Sequence, residues 1–312
     1  MNTTGAPDSK RQLRRERRAA EADSRKLPHG VDAPDEPPRA LTLDVYNAVH
    51  SEWCQSSASD RGSLRNLLYF WWDHAWVPLI VFLVSASTFA VTSSDLKIAR
   101  ALFFDPSTGR WIGADSWWVN EVVHTGGRWF MIFIGAAALL LWMVAHCNRR
   151  LGRLRRPTAY FLVAAILSVG IIGLLKQLTN VDCPWDLQEF GGRYPFVELF
   201  GDRPDDLRPG HCFPAAHASA GYTLLCLYFV SREHHRWLAY LGLGAGIATG
   251  LLYGIAQQSR GAHFASHDLW SAFLVWMISL TTYTFAFKMH VWDSHSSADH
   301  ELPAPARPDA AS

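Results

Sequence analysis

The sequence predicts an all-α integral membrane protein with six transmembrane helices and a site at the outer membrane face. Three observations carry that expectation. Polar residues gather at the two ends of the 312-residue chain, while the middle is apolar and holds most of its 14 tryptophans. Six apolar stretches of near-spanning length follow one another in that middle. Arginine clusters occur at alternate connections, which sets an orientation. The formal net charge is +1, so nothing in the overall balance points to a nucleic-acid partner.

Residues 1–65 begin with Pro, Gly and charge, including Arg11, Arg14, Arg15, Arg17 and Arg18. Such a segment buries too little apolar surface to offset its ordering entropy, so it is expected to be a disordered basic cytoplasmic tail. No apolar run of a cleaved leader follows the first residues, and the first helix is expected to act as its own insertion signal. Residues 41–72 read as partly helical and interfacial, ending in Tyr69-Phe70-Trp71-Trp72. The membrane domain spans 66–290, with apolar stretches near 74–93, 129–147, 157–175, 214–231, 237–256 and 269–288. Each comes close to the ~20 residues that cross ~30 Å of hydrocarbon at 1.5 Å per residue. The fourth is the least hydrophobic and contains Ala218, Ala220 and Gly221; the fifth contains Gly242, Gly244, Gly246 and Gly250. Small residues of this kind let helices approach closely. Residues 291–312 form a second disordered cytoplasmic tail.

Arg149, Arg150, Arg153, Arg155 and Arg156 occupy the second connection, and Arg232 and Arg236 the fourth. With six spans these segments fall on the same side as both termini, which the positive-inside rule makes cytoplasmic. The loops at 94–128, 176–213 and 257–268 then face outward. An inner membrane of a bacterial cell is the expected location. In the first outer loop Trp111, Trp117 and Trp118 read as an interfacial segment, with His124 and Arg128 as anchors that have a lipid headgroup within reach. Of five cysteines, Cys183 and Cys212 lie on the outer side, and an oxidising compartment would allow them to join across the 176–213 loop.

Three polar clusters stand where outer loops meet helices: Lys176 with Cys183-Pro184, Pro214-Ala215-Ala216-His217, and Arg260-Gly261-Ala262-His263 with His267-Asp268. Ionisable groups at membrane edges are costly and mark function. A bound phosphate ester needs cations for its oxygens, a nucleophile, and an acid for the leaving oxygen. The N-terminus of the fourth helix adds free N–H groups. His263 and His267 also have the i, i+4 spacing of a zinc pair, but the neighbouring cations favour an anion, so no metal and no cofactor is expected.

The order and spacing of these residues resemble the type 2 phosphatidic acid phosphatase (PAP2) superfamily over about residues 157–290. The family pattern is Lys, six residues, Arg-Pro; then Pro-Ser-Gly-His; then Ser-Arg, five residues, His, three residues, Asp. The resemblance implies a PAP2-like helical bundle. It implies His263 as a nucleophile forming a phosphohistidine, His217 as the acid for the leaving group, and Lys176 as a phosphate ligand. A neutral His263 and a protonated His217 imply a bell-shaped pH profile. The chain departs from the pattern at several places. Cys183 stands at the first-motif Arg, Ala215 and Ala216 at the Ser and Gly, and Gln257 at the third-motif Arg. Arg260, one helical turn on, is expected to reach back over the same face. Among arginines of the 176–213 loop, Arg193 is expected to supply further charge, because Gly191-Gly192 makes that stretch pliable. His267 stands at the family Asp position with Asp268 one residue later, so either orients His263.

The resulting expectation is a membrane lipid phosphatase acting on a phosphomonoester or diphosphate. Undecaprenyl diphosphate, phosphatidate, phosphatidylglycerophosphate and lipid A phosphate are the candidate substrates. A lipid phosphotransferase, or a catalytically inactive protein that binds a lipid phosphate, are the alternatives.

Overall fold

A computed structural model describes residues 65–66, 68–199, 201, 203–204, 206–232 and 235–288. The expected tails lie almost wholly outside the described residues. Helix α1 covers Leu68–Thr92. A short α2 (Ser94–Ile98) and a hairpin of β1 (Phe104–Asp105) and β2 (Arg110–Trp111) follow. Then come α3 (Trp118–Cys147), a 3₁₀ turn at Arg149–Leu154, and α4 (Arg155–Leu178). Helix α5 is a run of Ala216–Tyr222, a 3₁₀ turn at Thr223–Leu225, and Cys226–Ser231. Helices α6 (Arg236–Ser259) and α7 (Ala265–Tyr283) complete the bundle.

Among the described residues five helices are long and apolar enough to cross a membrane: α1, α3, α4 with its preceding turn, α6 and α7 with its continuation to Phe287. The stretch expected as the fourth span, α5, is helical but shorter, roughly 24 Å at 1.5 Å per residue. Its place explains its composition. Ala218, Ser219, Gly221, Tyr222, Leu224, Leu225, Cys226 and Phe229 are all buried, so α5 faces protein on most sides and needs few lipid-facing residues. It lies against α6 through small residues. A Cβ on Gly221 would come within 2.8 Å of the Gly250 backbone, and one on Gly242 within 2.8 Å of Leu227. The ring of Tyr222 fills the space where a Gly250 side chain would stand. In contrast α1 and α3 expose Leu83, Val84, Val91, Trp129, Phe130 and Phe133, the apolar faces that lipid would cover. Helix α1 is tied to α7 by Trp276 Nε1 donating to the His74 carbonyl at 2.7 Å and by Phe82 stacked on Phe273 at 4.0 Å.

Helix α3 begins 11 residues before the apolar stretch expected at 129–147, which places His124 and Arg128 on a helix one turn apart. The polar stretch Trp118–Gly126 is wound as a π-helix, and polar side chains at a helix start do not prevent helix formation.

The loops at the α4–α5 and α6–α7 ends are tightly joined. Cys183 and Cys212 form a disulfide with a Cα separation of 5.1 Å, within the range this linkage needs. Cys212 N donates to the Val181 carbonyl and Trp185 N to the Gly261 carbonyl, each at 2.9 Å. Gly261 has φ of +73°, and the Trp111 indole occupies the place a side chain would take. Trp111 is accordingly buried among Phe104, Phe190 and the other rings of an aromatic cluster, a correction to its expected interfacial role; Trp117 and Trp118 are exposed.

Candidate active site

Four helix ends meet at one cavity of about 690 Å³. Lys176 comes from the last turn of α4, His217 from the second residue of α5, Gln257 and Arg260 from the end of α6, and His263 from the loop before α7. Helix α3 contributes His124 and Arg128, and the Cys183–Cys212 disulfide forms part of the wall. No Asp or Glu lines the cavity, and among the described residues no carboxylate forms an ion pair with Lys176, Arg128 or Arg260. Three cations held together without counter-ions make an anion site.

His263 is 6% exposed and His267 4%. Their Nδ1 atoms lie 3.4 Å apart, so one ring donates an N–H and the other accepts. Since Nδ1 of His263 faces His267, its Nε2 is the nitrogen left for chemistry. Burial is the main cause that pushes the His263 pKa well below its ordinary value, and the charges of His267, Lys176 and His217 push the same way. The imidazole is therefore held neutral, with a lone pair. Phe213 and Phe264 meet the His267 ring edge-on at 5.2 and 5.6 Å and hold it in place.

His217 stands in a row of rings. Tyr253 lies 4.6 Å from it and His124 4.8 Å, while its Nε2 donates to the Val123 carbonyl at 3.4 Å. Tyr253, Gln257 and Arg260 share one face of α6, by their i, i+4, i+7 spacing. The expected reach of Arg260 over Gln257 is present: Nη1 donates to Gln257 Oε1 at 3.3 Å. Gln257 is 4% exposed, and its Nε2 has no partner among the described residues. A buried amide donor without an acceptor is costly, and in a cation-lined cavity an anionic oxygen would satisfy it.

Two expected site residues lie elsewhere. Arg193 is exposed and outside the cavity lining. The supposed pliability is absent because its stretch is pinned: Arg193 N and Tyr194 N both donate to the Asp186 carbonyl at 2.8 Å, and Gly192 packs against the Asp186 backbone. Arg203 of the same loop is taken by Asp182, through two hydrogen bonds of 2.8 and 2.9 Å. Asp268 also misses the cavity. It accepts from Gln258 Nε2 at 2.5 Å and sits against Gly254, whose missing side chain makes room for the carboxylate. The extra residue between His263 and Asp268 rotates that carboxylate toward α6, and His267 takes the place beside His263.

The sequence reading took His124 and Arg128 as anchors and left Gln257 as a loss. The signal that would have found the first two is their i, i+4 spacing at a helix start with no acidic partner.

Residues 157–290 match the family model described as the PAP2 superfamily. Among solved structures, the chain is similar to one described as the first transmembrane PAP2 type phosphatidylglycerolphosphate phosphatase from Bacillus subtilis. The two are 18% identical, the match covers 69% of this chain and 97% of that chain, and the TM-score is 0.42. No curated protein matches the sequence. His124 and Arg128 lie before the segment that the family model covers.

Proposed function

From the place of residues 157–290 in the PAP2 superfamily, we propose that this chain is a membrane lipid phosphatase acting on a phosphomonoester or diphosphate through a phosphohistidine. The observation that carries this reading is the cavity itself. Lys176, Arg128 and Arg260 converge without a carboxylate on a space lined by His263 and His217. In this reading α5 is the sixth span, both termini are cytoplasmic beside the Arg149–Arg156 cluster, and the cavity opens to the outer side.

His263 Nε2 attacks phosphorus; a P–N bond forms as the P–O bond to the lipid breaks. Its electron pair goes to the leaving oxygen, which takes a proton from His217. Lys176, Arg260 and the Gln257 amide balance the charge on the phosphoryl oxygens. Water then attacks the phosphohistidine, giving its proton back to His217, and the P–N pair returns to His263. His267 holds the His263 ring.

The displaced Asp268 supports a second reading, in which the protein binds a lipid phosphate without turning it over. The two differ in one assay. Phosphate release from detergent-solubilised protein is measured with the four candidate lipids, with and without EDTA, and with His217→Ala and His263→Ala. The phosphatase reading expects release that survives EDTA and is lost in both variants. No release from a folded protein that retains lipid phosphate affinity favours the binder.

A further inference from the structure

The cations are not spread evenly around the cavity, and their order suggests what the leaving group is. Lys176 acts by its charge on His263. Arg260 acts on His217 and on His124, and Arg128 acts on His124. The geometry gives the same division. His263 lies by the disulfide loop that also meets the end of α4, where His211 Nδ1 contacts the Lys176 carbonyl at 3.2 Å. On the other side, His124 and His217 face each other with ring centroids 4.8 Å apart, and Tyr253 links His217 to the face of α6 that carries Arg260. Arg128 is one turn beyond His124 on α3, and Met131 and Ile132 follow on the next turn.

Those apolar residues continue the cavity wall with Val169 of α4. Ile132 is 47% exposed and Val169 53%, both on the apolar surfaces of spanning helices. A path through the cavity therefore passes Lys176 and His263, then His217, then His124 with Arg128 and Arg260, and last an apolar mouth toward lipid. The two guanidiniums sit between the nucleophile and the mouth, where a leaving group joined to a lipid chain must lie. An alkoxide leaving group, protonated by His217, has no use for two guanidiniums. A leaving phosphate keeps its negative charge after the bond breaks, and guanidinium is the side chain best matched to its oxygens. At about 690 Å³ the cavity is in the size range that holds whole small ligands, with room for two phosphoryl groups and the start of a chain.

We propose that the substrate is a lipid diphosphate, with its terminal phosphoryl group on Lys176 beside His263 and its lipid-linked phosphate on Arg128, Arg260 and His124. This rests on the phosphatase reading of the same site. His263 Nε2 forms the P–N bond at the terminal phosphorus and the bond to the bridging oxygen breaks. The electron pair stays on that oxygen, now part of a lipid monophosphate, which Arg128 and Arg260 stabilise. Water later releases the terminal group as inorganic phosphate. Arg128 and His124 precede the segment that the family model covers, so this half of the site is supplied by α3.

The test uses full-length protein in detergent, with farnesyl diphosphate and farnesyl monophosphate as paired substrates. Wild type is expected to favour the diphosphate in kcat/KM by about tenfold or more, the worth of one charge-assisted hydrogen bond. Arg128→Gln is expected to bring the ratio of the two close to one, and Arg128→Lys to restore part of it. An unchanged ratio in Arg128→Gln overturns the proposal. If Arg128→Gln does not fold, His124→Gln carries the same expectation. A second arm needs no turnover: calorimetry of inorganic pyrophosphate and inorganic phosphate binding to wild type and Arg128→Gln. Tighter pyrophosphate binding that Arg128→Gln abolishes supports the diphosphate site even where neither lipid is hydrolysed, an outcome that removes the phosphatase reading alone. Hydrolysis of both lipids with no preference, and equal binding of both anions, removes the diphosphate site and leaves the phosphatase.

Discussion

Replacing His267 tests whether it does what an acidic residue would do behind the nucleophile. His267→Leu fills similar space between Phe213 and Phe264 but removes the 3.4 Å contact with His263 Nδ1. That contact is long and joins two neutral rings, so its net worth lies in the range of about 0.5–1.5 kcal/mol. If it acts by fixing the His263 tautomer and direction, kcat falls roughly 2- to 13-fold. The pH profile reads out something that a packing defect would not. His263 attacks only when neutral, and burial with the charges of His267, Lys176 and His217 holds its pKa down. Activity in the wild type therefore persists as the pH falls below about 6.5, the ordinary histidine value, and is lost only as the pH drops through the depressed one. His267→Leu removes one of the smaller causes while burial remains, so the acid limb moves up but stays below 6.5. His267→Asp places a carboxylate beside the ring and moves the limb up further, by about one to three pH units. The assay is kcat and kcat/KM for lipid phosphate hydrolysis from pH 4 to 9, with folding checked by gel filtration. Unchanged kcat and an unmoved acid limb in both folded variants refute the orienting role of His267.

Three further outcomes follow from single features of the fold. Lys176→Met removes the cation acting on His263 and is expected to lower kcat/KM by about 10- to 150-fold, the worth of a charged hydrogen bond, with weaker competitive inhibition by inorganic phosphate as the second measurement. Cys183→Ser with Cys212→Ser frees a loop whose ends are 29 residues apart; the chain-entropy relation puts the loss near 3.6 kcal/mol, read as a lower thermal midpoint in oxidised but not in reduced protein. Gly250→Val drives a side chain into the Tyr222 ring and is expected to abolish the monodisperse folded fraction in gel filtration, whereas Gly244→Val, with nothing within 4 Å, is expected to retain it.

The helices were legible because each depends on a local run of apolar residues, and the lipid-facing ones must keep that run over a full span. Helix α5 was legible as a helix yet misjudged as an equal of the others. Its small and polar residues are what a helix enclosed by protein uses, and enclosure is not local. In the site, Lys176, His217 and His263 were legible from order and spacing, and the structure brings all three to one cavity. Arg260 was legible from helical periodicity. Arg193 and Asp268 were misplaced for a common reason: a side chain's direction there depends on backbone hydrogen bonds and on a neighbour's missing side chain. Arg193 is turned out by the Asp186 carbonyl, and Asp268 is drawn toward α6 by Gln258 and the space at Gly254.

The changes from the motif pattern compensate one another in space. Where Cys183 replaces an arginine, a charge is lost, but its bond to Cys212 anchors the loop that the His263 backbone segment leans on through Trp185 N and the Gly261 carbonyl. Where Gln257 replaces the other arginine, a neutral donor remains on the same face, and Arg260 reaches back to its Oε1, which leaves Nε2 as the donor without a partner. Charge missing from the motif positions is present at Arg128, on a helix that the motifs do not include. An anion site is defined by the field in the cavity, and a guanidinium contributes to that field from any helix that reaches it. An orienting partner has no such freedom, because it must meet one nitrogen at hydrogen-bond distance. The loss of the carboxylate beside His263 is therefore the change that charge from elsewhere cannot offset, and His267 is the residue on which turnover depends.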